Sequence, residues 1–418
     1  MKIINSFRIL KEIFLNNKNK DTTNNFYNIE FLIRIFNLLI ILFFLLIIKK
    51  GKFIKIKNDI KYFRKYINRC KKLKISDRNE NIKENKEPYL SIVIPAYNME
   101  KYIERALLSI LNQSFQDFEI IIINDFSEDN TRGIINKFSF YLDKIKIIEH
   151  EQNLGIYASR VDGVLSSNGK YILYVDPDDA ILNPDLFQKI FDFNYIYNLD
   201  MIEFIVFYEE EGKNDLYIPK EHRLNHLHKF SEKIIYQPKL SNLLFFEPIE
   251  RNYSDIICRP IWNKIIKKKI LLKTINFLGK DIYKNKYFNF AEDTIINIIN
   301  FQFAKNYSNV DVPGYLYNIR KKSITHGDLG INHDIMISNN FFLYLKLFYK
   351  YVKFFNKDRN YLFYEINQFQ FYLLQLKKFN IAQYIIDLKN FLNDILNDGK
   401  ISKEFEYFLK KIINLINN

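Results

Sequence analysis

Leu90-Ser91-Ile92-Val93-Ile94-Pro95-Ala96-Tyr97-Asn98 opens on a short apolar run and closes on a proline, a tyrosine and an amide. A short apolar run closed by a turn signal reads as a buried strand. Ile103, Ala106, Leu107, Ile110 and Leu111 then recur at helical spacing. Phe118–Ile123 is a second strand, ending in Asn124 and Asp125, and a polar turn at Ser127–Asn130 leads into a helix through Phe140. Ile145–Ile148 reads as a third strand, Ile156–Leu165 as a helix entered through Gly155, and Tyr171–Val175 as a fourth strand stopped by Asp176 and Pro177. Strands alternating with helices on short loops predict an α/β fold with a mainly parallel sheet. In such sheets ligands bind beyond the carboxyl ends of the strands, so the residues just after each strand are the ones to weigh.

The chain has 418 residues, 48% of them hydrophobic and 26% charged, which excludes wholesale disorder. Its two cysteines, Cys70 and Cys258, are too few for a disulfide framework or a cysteine-built zinc site. With 62 Lys and Arg against 48 Asp and Glu, the formal charge is +14. That balance invites a nucleic-acid partner. The crowding of Lys, Asn, Ile, Phe and Tyr, however, reads as compositional drift in which each lysine carries little information, and no nucleic-acid partner is expected. The 39 Phe and 29 Tyr follow no basic–aromatic face and are expected in the core. His222, His226 and His228 lack a Cys or carboxylate pattern and read as a solvated segment, not a zinc site.

Phe31–Ile48 is apolar except for Arg34 and Asn37. As a helix it would extend roughly 27 Å, close to the hydrocarbon thickness of a bilayer. It is expected to be a transmembrane or membrane-embedded helix. Residues 49–68 after it hold Lys49, Lys50, Lys52, Lys55, Lys57, Lys61, Arg64 and Lys65, against Lys11, Lys18 and Lys20 in residues 11–30 before it. The positive-inside tendency then gives a single-pass chain with its C-terminal bulk in the cytosol. The organisation expected is a polar segment at 1–30, the membrane helix at 31–48, a basic juxtamembrane region and linker at 49–88, a catalytic domain at 89–325 and a helical region at 326–418. The last rests on Phe342, Leu345, Leu347 and Phe348, and later Ile385, Ile386, Leu388 and Phe391, at helical spacing.

The strand ends gather Asp125, then Asp176, Asp178 and Asp179 around Pro177. Acids this close repel unless something positive sits among them. Hard oxygen ligands suit Mg²⁺ or Mn²⁺, particularly with phosphate oxygens completing the shell. The plainer alternative is an acidic turn capping a helix at Asn183–Ile190.

In order, these segments resemble the family-two glycosyltransferases. The family's opening Ser-Val-Ile-Ile-Pro-x-Tyr-Asn is matched by Ser91–Asn98, and its Ser-x-Leu-x-Gln-Ser/Thr by Ser109-Ile110-Leu111-Asn112-Gln113-Ser114. Its Asp-Asp-x-Ser-x-Asp is matched by Asn124–Asp129, Asn-x-Gly with a later Arg by Asn153, Gly155 and Arg160, and Gly-x-Tyr-Ile-x-x-x-Asp-x-Asp-Asp by Gly169–Asp179. Trp262-Asn263-Lys264, Glu292-Asp293, Tyr315–Arg320 and Ser323-Ile324-Thr325 extend the likeness. Asn124 departs from the usual Asp, Val161 from the usual Asn, and no Gln-x-x-Arg-Trp signature of the processive synthases is present.

The resemblance implies a GT-A, Rossmann-like fold and inverting transfer from a nucleotide-diphosphate sugar, a UDP-sugar favoured, to a hydroxyl of a lipid, glycan or protein. The implied donor-binding residues are Pro95, Ala96, Tyr97, Asn98, Asp125, Arg160 and Asp176. The cation would fall to Asp176 and Asp178, with Asp179 an adjoining ligand or an outer group, the acceptor side to Trp262 and Glu292, and the general base to Asp293. Glu292-Asp293 also suits the first turn of a helix, where acids meet the dipole. Two rival functions are a membrane-attached scaffold that kept the fold without catalysis, and a nucleotidyltransferase releasing pyrophosphate. Calorimetric titration with UDP and Mn²⁺ should show binding if the donor site is working; no heat of binding would favour the scaffold.

Overall fold

β1 (Leu90–Ala96) lies at the centre of the parallel half of the sheet, with every residue buried. The chain is seen in a computed structural model that describes residues 87–138, 143–211, 216, 234–237, 260–283, 288, 292–320, 331–357, 366 and 382–417. The hydrophobic run Phe31–Ile48, its basic flank, the three histidines, both cysteines and Ser323–Thr325 lie outside these residues. No described helix is long and apolar enough to cross a membrane.

The first half alternates as the apolar spacing predicts. β1 leads into α1 (Ile103–Leu111), β2 (Phe118–Asn124), α2 (Thr131–Asn136), β3 (Ile145–Glu149), α3 (Ile156–Ser166) and β4 (Tyr171–Tyr174). β2 and β4 flank β1, both parallel to it, and β3 pairs parallel with β2. Helices cover both faces of such a sheet, so its strands carry continuous apolar runs instead of alternation. Ile120 to Ile123 are each fully buried, and each such side chain contributes about 1.5–3 kcal/mol by leaving water.

Beyond β4 the sheet turns mixed. β5 (Ala180–Ile181), α4 (Leu186–Tyr197), β6 (Met201–Glu210), β7 (Ile235–Tyr236), β8 (Lys264–Lys267), α5 (Lys268–Leu278), α6 (Lys280–Tyr283), α7 (Glu292–Phe303) and β9 (Asn306–Ile319) follow. The strand order is β3-β2-β1-β4-β8-β6-β9-β5, with β7 also on β9. β8 is antiparallel to β4 and to β6, while β6 and β9 run parallel. The register between β6 and β9 slips on either side of Ile205, where Pro313 enters the strand. Proline has no ladder donor, and a bulge is where a strand tolerates it.

The acidic turn does not cap a helix at Asn183. β5 intervenes, and α4 begins only at Leu186, with Asp185 at its N-cap position. Three further helices follow among the described residues: α8 (Ile331–Phe354), α9 (Ala382–Asn397) and α10 (Lys403–Asn417). Tyr351 donates to Gln302 of α7 at 3.3 Å and Lys350 to the Phe277 carbonyl of α5 at 2.8 Å, so α8 packs on the second half of the sheet domain.

Gly169 allows the chain to cross beneath β1 before β4. Its N–H donates to Ser91 Oγ at 2.7 Å. A Cβ there would stand 2.4 Å from that oxygen and 2.6 Å from the Ser91 backbone nitrogen. Backbone cannot rotate aside, so Gly169→Ala should lower stability by about 1–3 kcal/mol, read as a lower urea midpoint with an unchanged slope.

Candidate active site

The loops after β1 and β2 are laced together at the carboxyl edge of the sheet. Asn98 adopts φ 54°, a left-handed conformation that asparagine tolerates better than most residues. Its N–H donates to Ser127 Oγ at 3.1 Å and its Oδ1 accepts from Glu128 N–H at 2.8 Å. Met99 N–H donates to Thr131 Oγ1 and Glu100 N–H to Asp129. The hydrogen bonds to Thr131 and to the Glu100 and Thr131 amides hold the Asp129 carboxyl below its usual range against the opposing effect of burial. Pro95 and Ala96 end the strand, Ala96 accepting from Asp125 N–H at 2.8 Å. Tyr97 and Phe126 are both exposed on this edge, by 41% and 47%.

Asp125 is buried and engaged from several sides. It accepts from the N–H groups of Leu154 and Gly155, each at 2.8 Å. Gly155 sits at φ 89° at the entry to α3, a conformation closed to most side chains. Asp125 therefore anchors the start of α3 as well as facing the strand end. Of the roughly four acceptor positions of a carboxylate, few remain for a ligand.

α3 carries Arg160, whose side chain is 3% exposed. One guanidinium nitrogen donates to Glu292 and another to Asp176 Oδ1 at 3.1 Å. Burial alone would lower the Arg160 pKa, but Asp176, Glu292 and Asp293 together hold it above its ordinary value. Glu292 is pushed up to about 7 by burial and by Asp293, with Arg160 opposing. Burial also raises Asp293, and Arg160 opposes. Asp293 accepts from Thr294 N–H at 2.7 Å in the first turn of α7, as the helix-terminal reading expects.

The acidic turn divides its side chains. Asp176 N–H donates to the Tyr315 hydroxyl at 3.0 Å. Asp178 forms an ion pair with Arg320 at 2.6 Å, while its carbonyl accepts from Arg105 at 2.7 Å. Burial raises the Asp178 pKa, Arg320 opposes, and Asp176 adds to the rise. Asp179 turns inward and is 1% exposed, accepting from Asn318 N–H of β9 at 2.8 Å. Burial and then the charges of Asp178 and Asp176 push it well above the usual carboxylate range.

Among the described residues no group of three or more His, Cys, Asp or Glu is arranged to hold a metal. The donor set fits a divalent cation through two hard carboxylates, Asp176 and Asp178, if phosphate oxygens complete the shell.

Trp262 is buried and stacked on Tyr315 at 4.5 Å and Tyr317 at 5.3 Å between ring centroids. The two tyrosines share a face of β9 because strand side chains alternate. Trp262 thus braces the strand that supports Asp176 through the Tyr315 hydroxyl. Two residues on, Lys264 is fully buried; it donates to the Pro260 carbonyl and Asn263 Oδ1, each at 2.7 Å, and pairs with Glu203 at 3.1 Å.

The family model described as glycosyl transferase family 2 matches residues 91–273, the segment that holds β1 to β4, the acidic turn and Trp262. This segment is similar to family-2 glycosyltransferases. The chain is 25% identical over 238 residues to EpsJ of Bacillus subtilis (strain 168), an uncharacterized glycosyltransferase, covering 57% of this chain and 63% of EpsJ. It is 40% identical over 103 residues to an uncharacterized glycosyltransferase of Haemophilus influenzae, covering 25% of this chain and 32% of that protein. It therefore spans less than two thirds of the length of these relatives. The fold is shared with S. aureus TarS 1-349 solved with UDP-GlcNAc, at TM-score 0.51 and 20% identity, over 78% of this chain and 88% of that one.

One group close to Asp125 is not marked by the motifs. His150, just after β3, sits between Asp125 Oδ1 at 2.7 Å and Asp162 Oδ2 at 3.0 Å, and Tyr283 of α6 also donates to Asp162 at 2.8 Å. Hydrogen bonds to Asp125 and then Asp162 push its pKa up to about 9, against burial. A histidine beside a strand end was the available signal, but its partners lie 25 and 12 residues away. Since the folded-state pKa is raised, this contribution to stability is complete below about 6.5 and disappears as pH rises through about 9. Urea midpoints should therefore fall across that window, and His150→Gln should remove this component of the fall.

Proposed function

We propose that the chain transfers a sugar from a UDP-sugar to an acceptor hydroxyl, with inversion, at a membrane and with a divalent cation. The observation that carries this reading is the Arg160 bridge, which joins the Asp176 turn to the Glu292-Asp293 pair. A diphosphate leaving group and a general base must flank a single sugar carbon, and the bridge brings the two ends within one guanidinium of each other. The TarS structures solved with UDP and with UDP-GlcNAc support a UDP-sugar as the first donor to test.

The loop Pro95–Asn98 and Asp125 would receive the nucleoside at the carboxyl ends of β1 and β2. Asp176 and Asp178 would hold Mg²⁺ or Mn²⁺, which as a Lewis acid stabilises charge on the departing diphosphate. Arg160 donates to Asp176 and orients its carboxylate. Asp293, its pKa raised by burial, is closer to the proton affinity a general base needs near neutral pH. It takes the proton of the acceptor hydroxyl while that oxygen bonds to the anomeric carbon. The carbon–oxygen bond to the diphosphate breaks on the opposite face, nucleoside diphosphate departs with the electron pair, and configuration inverts. The hydrophobic run Phe31–Ile48 and its basic flank support a single-pass anchor with the catalytic domain on the cytosolic side. The acceptor class is a lipid, glycan or protein hydroxyl.

Asp293→Asn should reduce transfer by about 10²–10⁴-fold while UDP binding and the circular dichroism spectrum are retained. Asp178→Asn should instead weaken cation-dependent UDP binding. Transfer at the wild-type rate in Asp293→Asn would remove Asp293 from the role of base, and release of pyrophosphate instead of UDP would replace the reaction by nucleotidyl transfer.

A further inference from the structure

From residue 339 to 357, α8 and the turn after it expose only Lys346, Lys350, Lys353, Phe354 and Asn356. The remainder of this stretch is buried or half-buried, so the exposed strip is cationic and aromatic. No Asp or Glu occurs between residues 335 and 357, nor between 268 and 280 along α5. The lysines rest on rings: Lys346 lies 4.2 Å from the Phe342 centroid, Lys350 5.0 Å from Phe277 and Lys353 5.2 Å from Tyr349. None of the three forms an ion pair with a carboxylate among the described residues. Phe354 is 69% exposed at the crest, packed edge-on against Phe277 of α5 at 5.2 Å and against Phe355 at 4.9 Å. α5 exposes Lys273 and Leu272 as well; Lys273 lies 5.9 Å from the Phe303 ring, whereas Lys269 pairs with Asp200 at 3.8 Å.

We infer that this α5–α8 face docks on the surface of an anionic lipid bilayer. The ammonium groups lie over ring faces, and Lys350 also donates to the Phe277 carbonyl, while the three side chains stay exposed at an apolar surface. A large exposed ring at the crest of a cationic rim is the arrangement that inserts an aromatic group at headgroup depth. Uncompensated cations near an anionic leaflet contribute additively, and the cluster is large enough for that attraction to matter. A folded partner with an acidic surface would leave Phe354 facing charge, whereas a bilayer accepts both the ring and the cations. This contact uses residues far in sequence from Phe31–Ile48 and depends on neither that run nor the transfer reaction. It would hold the helical region against the membrane and fix which way the domain faces.

The test uses the full chain carrying Phe354→Trp, reconstituted in phosphatidylcholine vesicles with brominated acyl chains, with or without phosphatidylglycerol. The native Trp262 is buried, and the unsubstituted chain supplies its background. The expected result is strong quenching in anionic vesicles, little in neutral ones, and loss of quenching in high salt. Lys350→Glu and Lys353→Glu should each reduce the docked-to-undocked ratio by about fivefold or more. Equal quenching in both vesicle types, no quenching in either, or indifference to charge reversal would overturn the inference. Protection of the introduced indole's emission by added RNA, in preference to anionic vesicles, would overturn it in favour of nucleic acid. Transfer activity enters none of these readings, so a failed glycosyltransfer assay and a failed docking assay remain distinguishable.

Discussion

One buried guanidinium is shared by two carboxylates from different parts of the chain, and the candidate site is assembled around it. Arg160 reaches Asp176 at the end of β4 and Glu292 at the start of α7. A buried ion pair is a weak source of net stability, yet removing one partner typically costs about 3–5 kcal/mol because a charge is left without compensation. The geometry is therefore strongly enforced. Its backing is equally specific, since α3 can present Arg160 only if its first turn is fixed. That turn is held by Asp125 through the Leu154 and Gly155 N–H groups, and His150 ties Asp125 to Asp162 on the helix itself.

The other side of the candidate site depends on β9. Tyr315 receives the Asp176 N–H, Asn318 donates to Asp179, and Arg320 pairs with Asp178. Three residues at the end of one strand thus support three successive acids of the turn. Trp262 locks that strand by stacking on Tyr315 and Tyr317. Burial and mutual repulsion raise Asp178 and Asp179, and the cations at the edge restrain the first of them.

The alternation of β1 to β4 was legible because both faces of a parallel sheet are covered, so each strand announces itself as an unbroken apolar run. The departure at Asn124 becomes intelligible only in three dimensions. Its side-chain amide donates to Glu149 of β3 at 2.6 Å, where an aspartate would meet a like charge. Val161, the other departure, is buried against the core. The helix-capping alternative for Asp176–Asp179 failed because a two-residue strand, too short to carry periodicity, separates the turn from α4. The antiparallel insertion of β8 between β4 and β6 was likewise invisible, since strand order depends on pairings distant in sequence. The second half of the sheet took its form from those pairings and from the bulge around Pro313.

The sequence by itself determined the α/β alternation, the strand-end placement of Asp125, Asp176, Asp178 and Asp179, and the family resemblance, because local period and motif spacing are properties of neighbouring residues. The tertiary structure alone decided that Arg160 bridges residues 16 and 132 positions away. It also decided that His150 links Asp125 to Asp162, that Trp262 is a brace, and that lysines scattered through a biased composition gather on α5 and α8. Burial and electrostatic pairing act through space, and they separate side chains whose local sequence environments look alike.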